Sequence, residues 1–290
     1  TVSGGTGGGT RILNVNVIED INTNNKLTSY NANNKLVIKA AEGHNPRIQH
    51  LLIRRSRNIE IDGLNITSNP KNNGETEDTA LEIDASKCSG WESVKYEFED
   101  ANITIKNSMI GSNGFTGVHA TGCSGINFEN NIFNLIVNVP ADKSNADYSN
   151  IVGWGASAKF FACKNIKFVR NNFMGAHPTL VWLQQSSNAL FYNNVFWNTN
   201  EFDGQCVAVR LCNQWKHDNN LAENIAFFYN TFYLADNDAN KQYYDFLQFD
   251  DNPGAIKKST IYFQYNNCYS YDKDIPGKAP SSNSFEEGYY

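Results

Sequence analysis

One pattern recurs along this chain and limits what it can fold into. An aliphatic residue is followed by a second apolar residue two positions on, an asparagine at five and an apolar residue at seven. It reads NITIKNSMI, GINFENNIF, NIKFVRNNF, NALFYNNVF, NIAFFYNTF and TIYFQYNNC, preceded by two less regular copies, KLVIKAAEG and NIEIDGLNI. With the first aliphatic residue as zero, that column holds Leu36, Ile59, Ile103, Ile126, Ile166, Ala189, Ile225 and Ile261. The column at two holds Ile38, Ile61, Ile105, Phe128, Phe168, Phe191, Phe227 and Phe263. The column at five runs, after Ser108, through Asn131, Asn171, Asn194, Asn230 and Asn266. The column at seven holds Ile66, Ile110, Phe133, Phe173, Phe196, Phe232 and Cys268. Successive copies are 23, 44, 23, 40, 23, 36 and 36 residues apart, so 23 is the unit and the rest are that unit plus an insertion.

Period two means strand, with the residues at zero and two facing inward. The Asn before the next inward residue marks a tight turn, and the left-handed backbone position is expected at that Asn. A unit of this size cannot bury its own apolar face and must stack on its neighbours. Columns of Phe and of Asn are what in-register parallel strands about 4.8 Å apart produce. An α-solenoid would need helical spacing inside each unit, and none is present. Composition agrees: the chain has 43 Asn and only 7 Pro, and Asn is poor in helix interiors but suits turns. The net charge of −6 argues against a general nucleic-acid binder, and no apolar run approaches the length of a membrane span.

These columns resemble the right-handed parallel β-helix superfamily, the fold of pectate lyases and related polysaccharide-active proteins. The resemblance covers about residues 34–271 and matches no specific enzyme family. It implies an all-β, single-stranded parallel β-helix of about eight coils with three strands per coil. In that superfamily an inward Asn ladder lies at the turn between the second and third strands. Columns zero and two then fall on the second strand and column seven on the third. We expect one domain, with residues 1–33 as an N-terminal cap or edge, 34–271 as coils and 272–290 as a tail. The Gly-rich start, TVSGGTGGGT, lacks the Gly-Lys-Ser/Thr of a phosphate loop and reads as the interior of a longer product.

The first strand of each coil falls in LLIRRS, LEIDASKC, GVHATGC, ASAKFFAC, LVWLQQS, CVAVRLC and FLQFDD. Cys88, Cys123 and Cys163 sit at matching places, with Ser56 and Ser186 as equivalents. No His or carboxylate joins that column, so we read it as an inward ladder of small residues rather than a metal cluster. Cys206, Cys212 and Cys268 are likewise expected to be buried thiols. Insertions border the first strand on both sides: 67–79, 134–156, 197–205 and 233–244 precede it, and 89–101, 213–223 and 251–259 follow it. A flat face walled by loops makes a groove, and the resemblance places the substrate cleft there too.

The outward residues of that strand are therefore the candidates. The expected first outward column is Leu52, Asp84, His119, Lys159, Trp182, Ala208 and Gln248. The second is Arg54, Ser86, Thr121, Phe161, Gln184, Arg210 and Asp250. Eliminative cleavage of a uronic-acid polysaccharide needs the carboxylate neutralised and a base for the proton on the adjacent carbon. We assign Lys159, His119 and Arg210 to catalysis. Trp182, Gln184, Asp84, Arg54 and Trp154 are assigned to substrate, with Trp182 as a platform for a sugar face. Trp197 also faces out, as a sugar platform or as loop packing.

Signatures of the well-marked enzymes are absent: there is no WIDH-type tetrapeptide and no Arg-x-x-Pro-x-x-Arg. Asn198-Thr199-Asn200 and Asp250-Asp251 echo the polygalacturonase order, but no His follows Asp251. The acidic stretch Asp245, Asp250 and Asp251 reads first as a solvated rim and second as a Ca²⁺ site, so no cofactor is certain and Ca²⁺ is the candidate. The expected function is a secreted, cell-surface or periplasmic protein that binds an acidic polysaccharide; whether it also cleaves it, by β-elimination if active, is left open by the sequence. The alternative is a non-catalytic carbohydrate-binding or adhesive β-helix; a tail-spike-like fragment that trimerises is a weaker third. The expected partner is polysaccharide, not nucleic acid, and the expected state a monomer.

Overall fold

A computed structural model describes residues 11–15, 25–68, 79–85, 96–112, 116–135, 156–175, 179–198, 205–212, 223–236, 243–250 and 260–272. Within these residues the chain forms 25 strands and no helix. It visits three sheets in constant order: Leu36–Ala40, Arg47–Ile48 and Leu51–Arg54 lie on different sheets, and Ile59–Asp62 returns to the first of them. The second-strand sheet has nine strands and the other two have eight each, and every pairing is parallel to a neighbouring coil. This is a parallel β-helix. Two strands precede residue 34: Arg11–Val15 pairs with Leu36–Ala40, and Asn25–Thr28 with Leu51–Arg54.

The repeat columns are the register. Leu36, Ile59, Ile103, Ile126, Ile166, Ala189, Ile225 and Ile261 pair in sequence, as do the residues two further on. The third-strand column from Ile66 to Cys268 is also continuous. Inside, Phe128, Phe168, Phe191 and Phe227 stack with centroids 5.2, 4.7 and 4.6 Å apart and planes within 9°. Phe133, Phe173, Phe196 and Phe232 form a second stack at 4.4, 4.8 and 4.6 Å. The stacks meet edge-on, as where Phe133 and Phe168 lie 6.4 Å apart. Each buried Phe side chain contributes about 1.5–3 kcal/mol of transfer energy. The last described coil departs from this, for Cys268 is exposed rather than buried, and Phe263 is only half-buried.

The Asn ladder closes one corner of every coil from Asn131 onward. Each amide oxygen accepts from the backbone N–H and side-chain amide of the preceding ladder residue, and each Nδ2 also donates to a carbonyl of the preceding coil. Thus Asn171 N–H and Nδ2 donate to Asn194 Oδ1 at 2.8 and 3.0 Å, and Asn194 Nδ2 donates to Phe168 O at 2.9 Å. Ser108 N–H donates to Asn131 Oδ1, and Leu64 N–H to Ser108 Oγ, which ends the ladder. The expected left-handed position needs correction by one residue. Positive φ belongs to the residue before the buried Asn: Gly63, Asn107, Asn130, Arg170, Asn193, Tyr229 and Tyr265. The buried Asn stands immediately before the next strand and does not have positive φ.

A second Asn ladder, on the surface, stands just before column zero. Asn58, Asn102, Asn165, Asn188 and Asn224 all have positive φ, which Asn tolerates well. Asn102 Nδ2 donates to Asn58 Oδ1, Asn188 to Asn165, and Asn224 to Asn188. The small-residue ladder after the first strand is present in the interior: Ser56, Cys123, Cys163 and Ser186 are buried. Ser56 Oγ, Cys163 Sγ and Ser186 Oγ each donate to the carbonyl two residues earlier. Burial raises the Cys163 thiol to about 12, which keeps it protonated. Cys88 lies outside the described residues.

Candidate functional site

The first-strand sheet runs through Leu51–Arg54, Thr79–Asp84, Thr116–Thr121, Ala156–Phe161, Thr179–Gln184, Gln205–Cys212 and Tyr243–Asp250. Alternation sends Val118 and Ala120 into the core and leaves His119 and Thr121 on the outer face. The strand of His119 lies close to its neighbour. A Cβ on Gly117 would meet Ser157 O at 2.5 Å, so only glycine fits there.

Register sets the outer columns. The first reads Leu52, Glu82, His119, Lys159, Trp182, Arg210 and Gln248. The second reads Arg54, Asp84, Thr121, Phe161, Gln184, Cys212 and Asp250. Two assignments are thereby corrected. Glu82, not Asp84, stands beside His119, and Asp84 moves to the second column, which displaces Ser86 from it. Arg210, not Ala208, stands beside Trp182, and Cys212 takes the place given to Arg210. Both errors are slips of two residues. Such a slip preserves which side chains face out, so hydrophobic alternation cannot reveal it.

The column brings together Glu82, His119, Lys159, Trp182 and Arg210 on five consecutive strands. Trp182 is only 1% exposed, although it lies outside the coil. Lys159 Nζ sits 4.1 Å from its ring centroid and Arg210 Cζ sits 4.3 Å from it. Ala156 and Cys212 complete a small apolar cluster with the indole, separate from the main core. An indole held this way is not an open sugar platform. It braces two cations, and a desolvated cation–π contact is worth about 2 kcal/mol.

Burial dominates the electrostatics. Lys159 is pushed down to about 8, by burial first and then by the Arg210 charge. His119 is held below its ordinary value, by burial and then by Lys159, against the opposing pull of Glu82 and Asp84. Glu82 lies below the ordinary carboxylate value, chiefly because of the neighbouring His50, whose Nε2 is 3.7 Å from Glu82 Oε2. Arg54 Nε pairs with Asp84 Oδ2 at 2.9 Å. Gln248 Oε1 is buried with no hydrogen-bond partner among the described residues. The column therefore runs from acid at Glu82 to cation at Lys159 and Arg210.

Glu82 and His50 were not candidates in the sequence. Correct register would have found Glu82, whereas the His50 contact is non-local and left no signal. Trp154 and the acidic pair Asp250 and Asp251 cannot be placed at the site, because Trp154 and Asp251 lie outside the described residues and Asp250 is described in backbone only. Among the described residues no three His, Cys, Asp or Glu side chains converge to hold a metal ion, and no helix is long and apolar enough to cross a membrane.

No protein-family model matches the chain, and no curated protein matches it. Among solved structures, the chain is similar to full-length tailspike protein 2 from Escherichia coli O157:H7 bacteriophage CAB120. Identity is 10%, with 90% of this chain covered and a TM-score of 0.29. The chain spans 38% of the length of that protein.

Proposed function

We propose that the chain is an extracellular, carbohydrate-active β-helix protein that binds an acidic polysaccharide along the outer face of the first-strand sheet and cleaves it by β-elimination. The observation that supports this reading is Lys159, a buried amine with its pKa near 8 beside a permanent cation. A neutral Lys159 Nζ takes the proton from the carbon next to the uronate carboxylate. The electron pair freed forms the new double bond, and the glycosidic oxygen on the following carbon leaves and is protonated. Arg210 meets the carboxylate, where negative charge grows in the transition state, and Gln184 and Gln248 stand on the adjoining strands with amides for the sugar. Arg54 and Asp84 mark the end of the groove beyond Glu82. His119, kept neutral, is the alternative base. Trp182 fixes the separation of the two cations.

Turnover on uronate polysaccharides is followed by the ultraviolet absorbance of the unsaturated product. With Lys159 as base, the rate rises with pH and levels off above about 8, because the protonated amine below that value cannot accept a proton. Lys159→Ala lowers turnover by about 10²–10⁴-fold, the usual contribution of a general base. Arg210→Ala moves the pH midpoint upward, since removing the like charge lets Lys159 keep its proton. A midpoint below the ordinary imidazole value would transfer the role to His119. Absence of product from every uronate polysaccharide would remove catalysis. Binding without turnover is the second reading, and it is favoured by the Trp182 ring 4.1 Å from Lys159 Nζ, a contact that stabilises the charged amine.

A further inference from the structure

We infer that the third-strand sheet carries a second glycan site, for an extended neutral polysaccharide, on a different sheet from the Lys159 column. The proposal goes beyond the function above and does not depend on it. Two outward columns run side by side over the last four strands of this sheet. One is Asn172, Val195, Thr231 and Asn267; the other is Met174, Trp197, Tyr233 and Tyr269. Trp197 is 46% exposed and Tyr269 56%, and the Trp197 and Tyr233 rings meet edge-on at 5.5 Å. From Asn65 onward, no outward residue in either column of this sheet is charged.

The turn beside this face adds a third row. Tyr229 and Tyr265 stack at 5.2 Å and 12°, and Tyr192 meets Tyr229 edge-on at 5.7 Å. Tyr265 is 71% exposed. Both Tyr229 and Tyr265 have positive φ, at 59° and 58°. The same turn position holds Gly63, Asn107, Asn130, Arg170 and Asn193 in earlier coils, and all of these but Arg170 are residue types that adopt this backbone readily. Two bulky rings thus occupy a left-handed position where Asn is the low-cost choice. Here the rings do not pack into the core; they lie in solvent.

Amides and a hydroxyl flanked by aromatic rows, without charge, fit a neutral sugar. Trp197 and Tyr269 offer exposed ring surface to the pyranoses, Tyr229 and Tyr265, stacked on each other, border it with their edges, and Asn172, Thr231 and Asn267 take hydroxyls. One aromatic per coil, about 4.8 Å apart, suits an extended β-1,4-linked chain lying along the helix axis. The two columns offer an acidic glycan no cation, and Arg170, at the turn position two coils before Tyr229, is paired with Glu129.

Calorimetry of the full chain with cellohexaose and mannohexaose, and with hexagalacturonate as the charged control, tests this. At least one neutral hexasaccharide should bind. Trp197→Ala should weaken it tenfold or more, while Lys159→Ala leaves it unchanged and acts on hexagalacturonate alone. Tyr265→Asn should weaken the neutral sugar and raise the melting temperature, because it relieves the strained turn. A purely structural Tyr265 would instead lower the melting temperature. Failure of both neutral probes to bind the wild type would overturn the proposal. So would unchanged affinity in Trp197→Ala, or a dimer in sedimentation that Trp197→Ala dissociates, which would give this face to a second copy of the chain.

Discussion

Truncating Phe191 to alanine should destabilise the protein by about 3–5 kcal/mol, the range for deleting a buried aromatic from a well-packed core. Phe191 is fully buried, with Phe168 and Phe227 stacked on its two faces and Phe196 at 6.0 Å. Parallel strands hold those neighbours at fixed spacing, so they cannot collapse into the cavity. Phe263→Ala, on the last described coil, removes a half-buried ring and should cost distinctly less. Denaturant unfolding of both variants checks the difference. Equal, small shifts would mean that the central stack is not under the constraint described.

Replacing Asn194 with leucine keeps the volume and removes the polar contacts. Its oxygen accepts from Asn171 N–H and Nδ2, and its amide donates to Phe168 O and Asn230 Oδ1. Leucine leaves Asn171 N–H and Phe168 O buried without those partners. At about 1–3 kcal/mol for each orphaned group, the loss should be about 2–6 kcal/mol. Leucine at this column is compatible with the fold where the ladder ends, for Leu64 sits there and its N–H is met by Ser108 Oγ. Position 194 has a ladder on both sides and no such substitute. A variant that melted with the parent would show that the turns do not depend on the amides.

The fold was legible because each coil repeats the same local physics. Period two set the strands, and columns of Ile, Phe and Asn could arise only if neighbouring coils were in register. The turn was legible to within one residue: the conserved-spacing Asn was the buried one, while the left-handed position fell to a residue type that varies among Gly, Asn, Arg and Tyr. The outer face was harder. The expected columns set Asp84 beside His119 and Ala208 beside Trp182, across coils whose insertions hide the register, and both were two residues out. Asp84↔Thr121 and Cys212↔Gln184 show the true pairing. Because a slip of two keeps the face, inward residues gave no warning. His119, Lys159 and Trp182 were placed correctly where coils are 23 residues apart or the strand ends are clear. The burial of Trp182 between Lys159 and Arg210 follows from contacts across three strands, which a linear reading does not contain.

Calorimetric titration of the wild type, Lys159→Ala and Arg210→Ala with a panel of uronate hexasaccharides bears most directly on the proposed acidic-glycan site. The account predicts that one of them binds the wild type, that binding weakens as salt is raised, and that Arg210→Ala weakens it at least tenfold. Affinity unchanged in both variants, or no binding by any member of the panel, would contradict it.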